Sequence, residues 1–109
     1  MSTTTFNRAD FRVTNVLAQA YGPVASGTTV IAFHGTASNI DNVNKSSHTL
    51  TLEIHNGASV VNRLNAISIP YSGAAKLPKM VLKTGDSLHA VTDTTLMIDL
   101  SVELLEIVG

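Results

Sequence analysis

His48 to His55 reads HTLTLEIH, with Leu50, Leu52 and Ile54 on one parity and Thr49, Thr51, Glu53 and His55 on the other. A period of two places these sets on opposite faces of a β-strand, one for a core and one for solvent. Asn56-Gly57 follows at once. An Asn-Gly pair after such a run predicts a hairpin, because both central residues of a type I′ turn need positive φ. The return strand is expected over Ser59 to Ile69, with Ile67 and Ile69 inward and Pro70 as its stop. The closing segment, Thr95 to Val108, sets Ile98, Leu100, Val102 and Leu104 against Asp99, Ser101 and Glu103. Its alternation slips at Leu104-Leu105, which predicts a β-bulge or a bent strand end.

Met80 and Leu82 alternate with Val81 and Lys83, Gly85-Asp86 turns the chain, and Leu88 and Ala90 return. Thr28 to Gly35 (TTVIAFHG) is apolar on both parities, as expected of a strand covered on both faces. Upstream, Phe11, Val13, Val16 and Leu17 lie among Thr and Asn, before breaks at Gly22-Pro23 and Ser26-Gly27. Ser38 to Ser47 is a polar loop around Ile40 and Val43 and is expected to be the most mobile segment. Residues 1–10 are read as an N-terminal arm. Helix competes at Leu96 to Val108, where Leu and Glu favour it, and at Ala18 to Ala25, where Gly22-Pro23 interrupts it. The predicted fold is all-β: one antiparallel β-sandwich over residues 1–109, jelly-roll-like, with about seven or eight strands.

Charged residues are 14% of the chain and mean hydropathy is positive at +0.23, whereas about 25% of an average soluble domain is charged. A domain this short buries only roughly two-thirds of its unfolded surface. Low charge on such a domain suits lasting contact with neighbouring subunits. Phe6 and Phe11 flank Arg8, Asp10 and Arg12, giving the arm apolar anchors and charges for register. The expected assembly contacts are therefore Phe6, Arg8, Phe11 and Arg12 on the arm, with Ile40 and Val43 in the polar loop. The competing reading has Phe6 and Phe11 complete the first strand of the core.

Net charge is −1, and the basic residues are scattered apart from a loose trio, Lys76, Lys79 and Lys83, that reads as a solvated strand edge. No nucleic-acid footprint is expected. Cysteine is absent, so neither a disulfide nor a thiolate metal site is available. The start, MSTTTF, lacks the basic and apolar regions of a signal peptide. No apolar run approaches the roughly 20 residues of a membrane span, so no membrane partner is expected.

Four histidines, His34, His48, His55 and His89, raise the question of a metal. His48 and His55 are an odd number of positions apart on one strand and face opposite ways. A cluster with Asp86 or Glu53 is the remaining arrangement, and surface or interface histidines are the reading preferred. There is no Gly-x-Ser-x-Gly elbow, and Ser101 sits mid-strand. Gly85-Asp86-Ser87 reads as a turn whose Asp caps backbone N–H groups. Asp99 and Glu103 are about 13 Å apart along one strand face, too far for direct acid–base cooperation. No catalytic, cofactor-binding or metal residue is assigned, and no cofactor is expected. With no Trp, and with Tyr21 and Tyr71 beside Gly or Pro turns, the aromatic platforms of sugar-binding sandwiches are also missing.

The polar loop with Asn39 and Asp41, the strand HTLTLEIHNG, LNAISIP, KMVLKTGDSLHA and the closing LMIDLSVELLEIV form a succession that resembles small β-sandwich virion proteins of tailed bacteriophages. The likeness spans residues 28–108, is a pattern rather than a strict motif, and carries over no functional residue. It implies a non-enzymatic structural subunit of the virion, assembled in the host cytoplasm, with head decoration (cement) preferred. Neck or collar and tail or fibre components are the alternatives within the resemblance. A small carbohydrate-binding module and a cupin-like enzyme are the alternatives outside it. The partners implied are copies of itself, as a trimer by analogy with decoration proteins on local three-fold axes, and other virion proteins such as the major capsid protein.

Overall fold

The computed structural model of this chain describes residues 3–63, 67–93 and 97–108. Its strands are β1 Thr3–Val13, β2 Ala18–Tyr21, β3 Thr28–Asn39, β4 His48–Asn56, β5 Ser59–Arg63, β6 Ile67–Ile69, β7 Ala74–Lys76, β8 Met80–Leu82, β9 Asp86–Thr92 and β10 Ile98–Val108. All pair antiparallel, in two sheets. Sheet A runs β1-β10-β3, and the far edge of β3 is shared by β7 and β8. Sheet B runs β2-β9-β4, and the far edge of β4 is shared by β5 and β6. Each sheet thus has four strand positions, which reconciles ten strands with the smaller number expected. The antiparallel β-sandwich is as predicted, and where helix competed the chain forms strand over Ala18–Tyr21 and Ile98–Val108.

The core lies between the sheets and follows the period-two pattern. Leu50, Leu52 and Ile54 of β4 face Leu88 and Ala90 of β9 as register neighbours, while Ile98, Leu100, Val102 and Leu104 of β10 enter from sheet A. Ile69, Met80 and Leu82 are buried as well. Leu64 to Ala66, in the middle of the expected return strand, lie outside the described residues.

Four expectations are corrected. Thr28 to Gly35 was expected to be covered on both faces, but only one face of β3 is buried: Val30, Ala32, Gly35 and Ala37 point inward while Phe33 is 42% exposed. The forecast irregularity near Leu104 exists, yet the extra residue belongs to β3. Leu104 pairs with Ala32 and Glu103 with His34, which leaves Phe33 without a partner in the ladder. The hairpin after β4 is centred on Gly57-Ala58, with Asn56 paired to Ser59. Gly57 has φ +60° and Ala58 is not at positive φ, the sign pattern of a type II′ turn with Gly first. Finally, the N-terminal arm is from Thr3 onward an edge strand, paired with β10 from Thr3↔Val108 to Val13↔Ile98. Three threonines and a phenylalanine favour strand, and β10 would otherwise present an open edge.

One glycine holds the end of the sandwich together. Gly22 has φ +101°, and a Cβ there would stand 2.8 Å from the Asp86 carbonyl oxygen and 2.9 Å from Ser87 Cα. Gly57 has φ +60° but open space around it. Gly57→Ala is expected to cost about 1–2 kcal/mol, the strain of a left-handed alanine. Gly22→Ala must also displace the β9 backbone and is expected to cost at least twice as much, which urea unfolding of the two variants would measure.

Candidate functional site

Three of the four histidines, His48, His55 and His89, fall into two groups on opposite sides of sheet B, while His34 lies on β3 of sheet A. His48 shares the inward parity of Leu50 and is 5% exposed. Its Nε2 lies 2.7 Å from Asp41 Oδ2 and its Nδ1 2.9 Å from Asp93 Oδ1. Two ionised carboxylates only accept, so both ring nitrogens must donate, which requires the imidazolium. The hydrogen bond to Asp41 accordingly raises the His48 pKa above its ordinary 6.5, against the effect of burial, with a further contribution from Asp93. Asp41 is lowered by His48 first and then by the Asn44 and Val43 amides it accepts from. For Asp93, burial pushes upward but is outweighed by hydrogen bonds from His48, Thr92 and the Thr49 backbone. Asn39 completes the knot. Its Nδ2 donates to the Ser46 and Ile69 carbonyls, and its Oδ1 accepts from the Asp41 amide. The loop expected to be the most mobile is therefore tied down by buried Asn39 and Asp41, polar residues whose role the hydropathy pattern does not reveal.

The second group lies on the outer face of sheet B. His55 and His89 stack with ring centroids 4.0 Å apart. Glu53 accepts from His55 at 2.8 Å and from Arg63 at 2.6 Å, and both bonds lower its pKa. Ser87 Oγ is 2.9 Å from His89 Nε2. Burial, and then the neighbouring His55, lower the His89 pKa. Ser87 next to His89 resembles the first link of a nucleophile–base pair. However, Ser87 is buried, and the nearby carboxylate, on Glu53, is engaged by His55 and Arg63 rather than by His89. Among the described residues no group of three or more His, Cys, Asp or Glu side chains is arranged to hold a metal ion. His48 and His89 are expected to titrate on opposite sides of 6.5, His48 above and His89 below, which an NMR titration of the ring protons would read directly.

Sheet A presents a different surface. On β1 the residues Ala9, Phe11 and Val13 point to the core, so Phe6, Arg8, Asp10 and Arg12 point outward. The ladder then carries one apolar row across the sheet: Phe6 pairs with Leu105, Leu105 with Ile31, and Ile31 with Val81. Phe6 is 75% exposed and Val81 52%. Phe33, unpaired at the bulge and on the same face as Ile31, packs edge-on against Phe6 with centroids 6.2 Å apart. Beside this row lie Arg8, Glu103 and His34. The next row is Asp10, Ser101, Thr36 and Lys76, and the next begins with Arg12 held bidentate by Asp99 at 2.7 and 3.1 Å. Two shallow depressions, of about 430 Å³ by Phe6 and Phe33 and about 370 Å³ by Arg12 and Ser38, mark the face as uncovered.

Of the expected contact residues, this face gathers Phe6, Arg8 and Arg12. Phe11 is not among them, because its parity turns it to the core. Ile40 and Val43 are exposed, but at one end of the sandwich, where the β1–β2 loop (Val16, Leu17) and Tyr71 are exposed too. Backbone bonds from Asn39 to Gly73, from Ile40 to Met97 and from Thr92 to Thr14 join these loops. The residues missed were Ile31, Phe33, Val81 and Leu105. Their signal was present, as apolar residues on the outward parity of TTVIAFHG, at Val81 on the parity opposite Met80 and Leu82, and at the slip Leu104-Leu105.

At the opposite end an open cleft of about 570 Å³ lies between β2 and β10, spanned by a hydrogen bond from the Tyr21 hydroxyl to Glu106. Burial first, and then Glu106, push the Tyr21 phenol above its ordinary pKa. Tyr21 thus ties an edge of sheet B to sheet A.

No protein-family model and no curated protein matches the sequence. Among solved structures the fold is similar to a chain from a study titled "Bacillus endospore appendages form a novel family of disulfide-linked pili", with a TM-score of 0.61 and 10% identity over 99% of this chain and 88% of that one. It is also similar to a chain from "Acidic stable capsid structure of Helicobacter pylori bacteriophage KHP30", with a TM-score of 0.54 and 10% identity over 99% of this chain and 94% of that one. At this identity the likeness is one of fold: both are chains on which a β-sandwich of this outline is built.

Proposed function

We propose that this chain is a non-enzymatic structural subunit of a bacteriophage virion, present in many copies as a capsid decoration (cement) protein that stabilises the head. The observation that carries the reading is the apolar row Phe6, Leu105, Ile31 and Val81 on the uncovered face of sheet A. A small domain that leaves such a row in water gains by covering it with a neighbour, and buried apolar area then supplies the affinity. The exposed apolar residues of the end loops offer a second contact, so one copy could bridge two neighbours.

Topology supports the same reading. Successive positions β1, β2, β3 and β4 alternate between the sheets, β5/β6 and β7/β8 fill the outer positions, and β9 and β10 return to the centres. That order is a jelly roll, an architecture of viral capsid and lectin domains, and the likeness to a phage capsid chain agrees with it. The disulfide linkage named for the pilus chain has no counterpart here, since these 109 residues contain no cysteine.

The partners of this reading are copies of the chain and the major capsid protein. Mass spectrometry of washed, gradient-purified particles tests it. The peptides of this chain are expected at a copy number on the scale of the capsid lattice. Their absence, or a number fitting only a tail tip, would overturn the decoration role.

A further inference from the structure

We infer that the outer face of sheet A docks a second copy of this chain, as a two-fold dimer whose axis lies in the interface, parallel to the strands, between β10 and β3. The inference deepens the assembly reading by naming the partner of that face. An axis so placed keeps every residue at its own height and reverses the strand order. β1 then faces the β7/β8 position of the partner, and β10 faces the partner's β3.

Three rows match under this single operation. The apolar row falls on itself, with Phe6 opposite Val81 and Leu105 opposite Ile31. In the next row Glu103 stands opposite His34. In the row after that Asp10 stands opposite Lys76, and Ser101 opposite Thr36. Each pairing occurs twice, as an isologous interface requires. A face carrying one sign of charge would repel its own copy; here Glu103 meets His34, and Asp10, which also pairs with Arg8 of its own chain at 3.1 Å, meets Lys76.

The size of the face agrees. Four strand positions at ~4.8 Å and eleven residues at ~3.3 Å make it about 19 by 36 Å. That is roughly 700 Å², near the ~800 Å² per partner of a standard interface. Twisted sheets packed face to face cross at about −30°, so the match is tightest at Leu105 and Ile31 beside the axis and loosens toward the edges. The pairing is two-fold, in place of the trimer that the resemblance implies.

Sedimentation equilibrium of the full chain tests this, with circular dichroism confirming that each variant is folded. The wild type is expected to dimerise reversibly with a micromolar dissociation constant. Phe6→Lys alters a side chain that is 75% exposed and is expected to weaken the dimer at least tenfold. The decisive pair is Asp10→Lys and Lys76→Asp. Within one chain these residues sit three strand positions apart, about 14 Å, so coupling between them must pass through the partner. Each single change is expected to weaken the dimer several-fold, and the two together to restore it to within about twofold of wild type. A monomer or trimer at all concentrations, a dimer indifferent to Phe6→Lys, or additive loss in the double variant would each overturn the pairing. None of these results alters the copy number in purified particles, which tests the assembly reading separately.

Discussion

Leu52→Asp is expected to leave the chain unfolded at room temperature. Leu52 is fully buried at the centre of β4, register neighbour of Ala90 on β9. Removing its side chain forfeits about 2–5 kcal/mol of packing. The carboxylate that replaces it finds apolar side chains on its own face, Leu50, Ile54, Leu88 and Ala90. An uncompensated buried charge costs several kcal/mol more. Together these match or exceed the whole stability of a domain of this size, about 5–15 kcal/mol. Thr51→Asp, one residue away and on the outer face, is the control and is expected to change stability by less than about 1 kcal/mol. Far-UV circular dichroism and urea unfolding read both. A Leu52→Asp protein as stable as the wild type would mean that the two faces of β4 are reversed.

The second large effect is expected at His48. His48→Ala leaves Asp41, which is wholly buried, without its partner, and breaking a buried pair from one side is strongly destabilising. A fall in Tm on the order of 10 °C or more is expected. The effect depends on pH in a definite direction. The folded pKa of His48 is raised, so its contribution is complete below the unfolded value of 6.5 and is lost as pH rises through the folded pKa. Asp41 and Asp93 are lowered from 3.8, so theirs is present above that value and is lost as pH falls through their folded pKa values. The difference in Tm between wild type and His48→Ala is therefore expected to be largest between about pH 4 and pH 6.5 and to shrink on either side. His89 acts in the opposite sense to His48. Its lowered pKa makes the folded state bind protons less readily than the unfolded chain, so its contribution falls as pH drops below 6.5. Thermal melts across pH separate the two, because only the His48 effect disappears in His48→Ala.

The alternating strands were readable because a half-buried strand writes its facing into hydropathy. Leu50, Leu52 and Ile54, and Ile98 to Leu104, lie where that pattern places them. Asp86 also behaves as the turn chemistry requires, accepting from the Lys83 amide at 2.9 Å beside Gly85 at φ +86°. Two features escaped for physical reasons. Ile31 and Phe33 were taken into a strand covered on both faces because an apolar residue carries no mark of whether its own chain or a neighbour covers it. The knot of Asn39, Asp41 and His48 escaped because its members are polar, and its three-dimensional partner Asp93 is distant in sequence. The strand identity of residues 3–13 was weighed and passed over. Thr3 to Arg8 are exposed, and a strand whose outer half packs on little core looks like an arm until its pairing with β10 is seen.

Where the subunit sits decides the account. A reconstruction of native particles, searched for a sandwich with Cα extents of 51 × 27 × 18 Å, is the most direct measurement. The account predicts repeated copies on the outside of the head, with the outer face of sheet A buried against a second copy and the end loops that carry Val43 and Tyr71 against the capsid shell. Particles without this density, or copies whose sheet A face stands open to solvent, would contradict it.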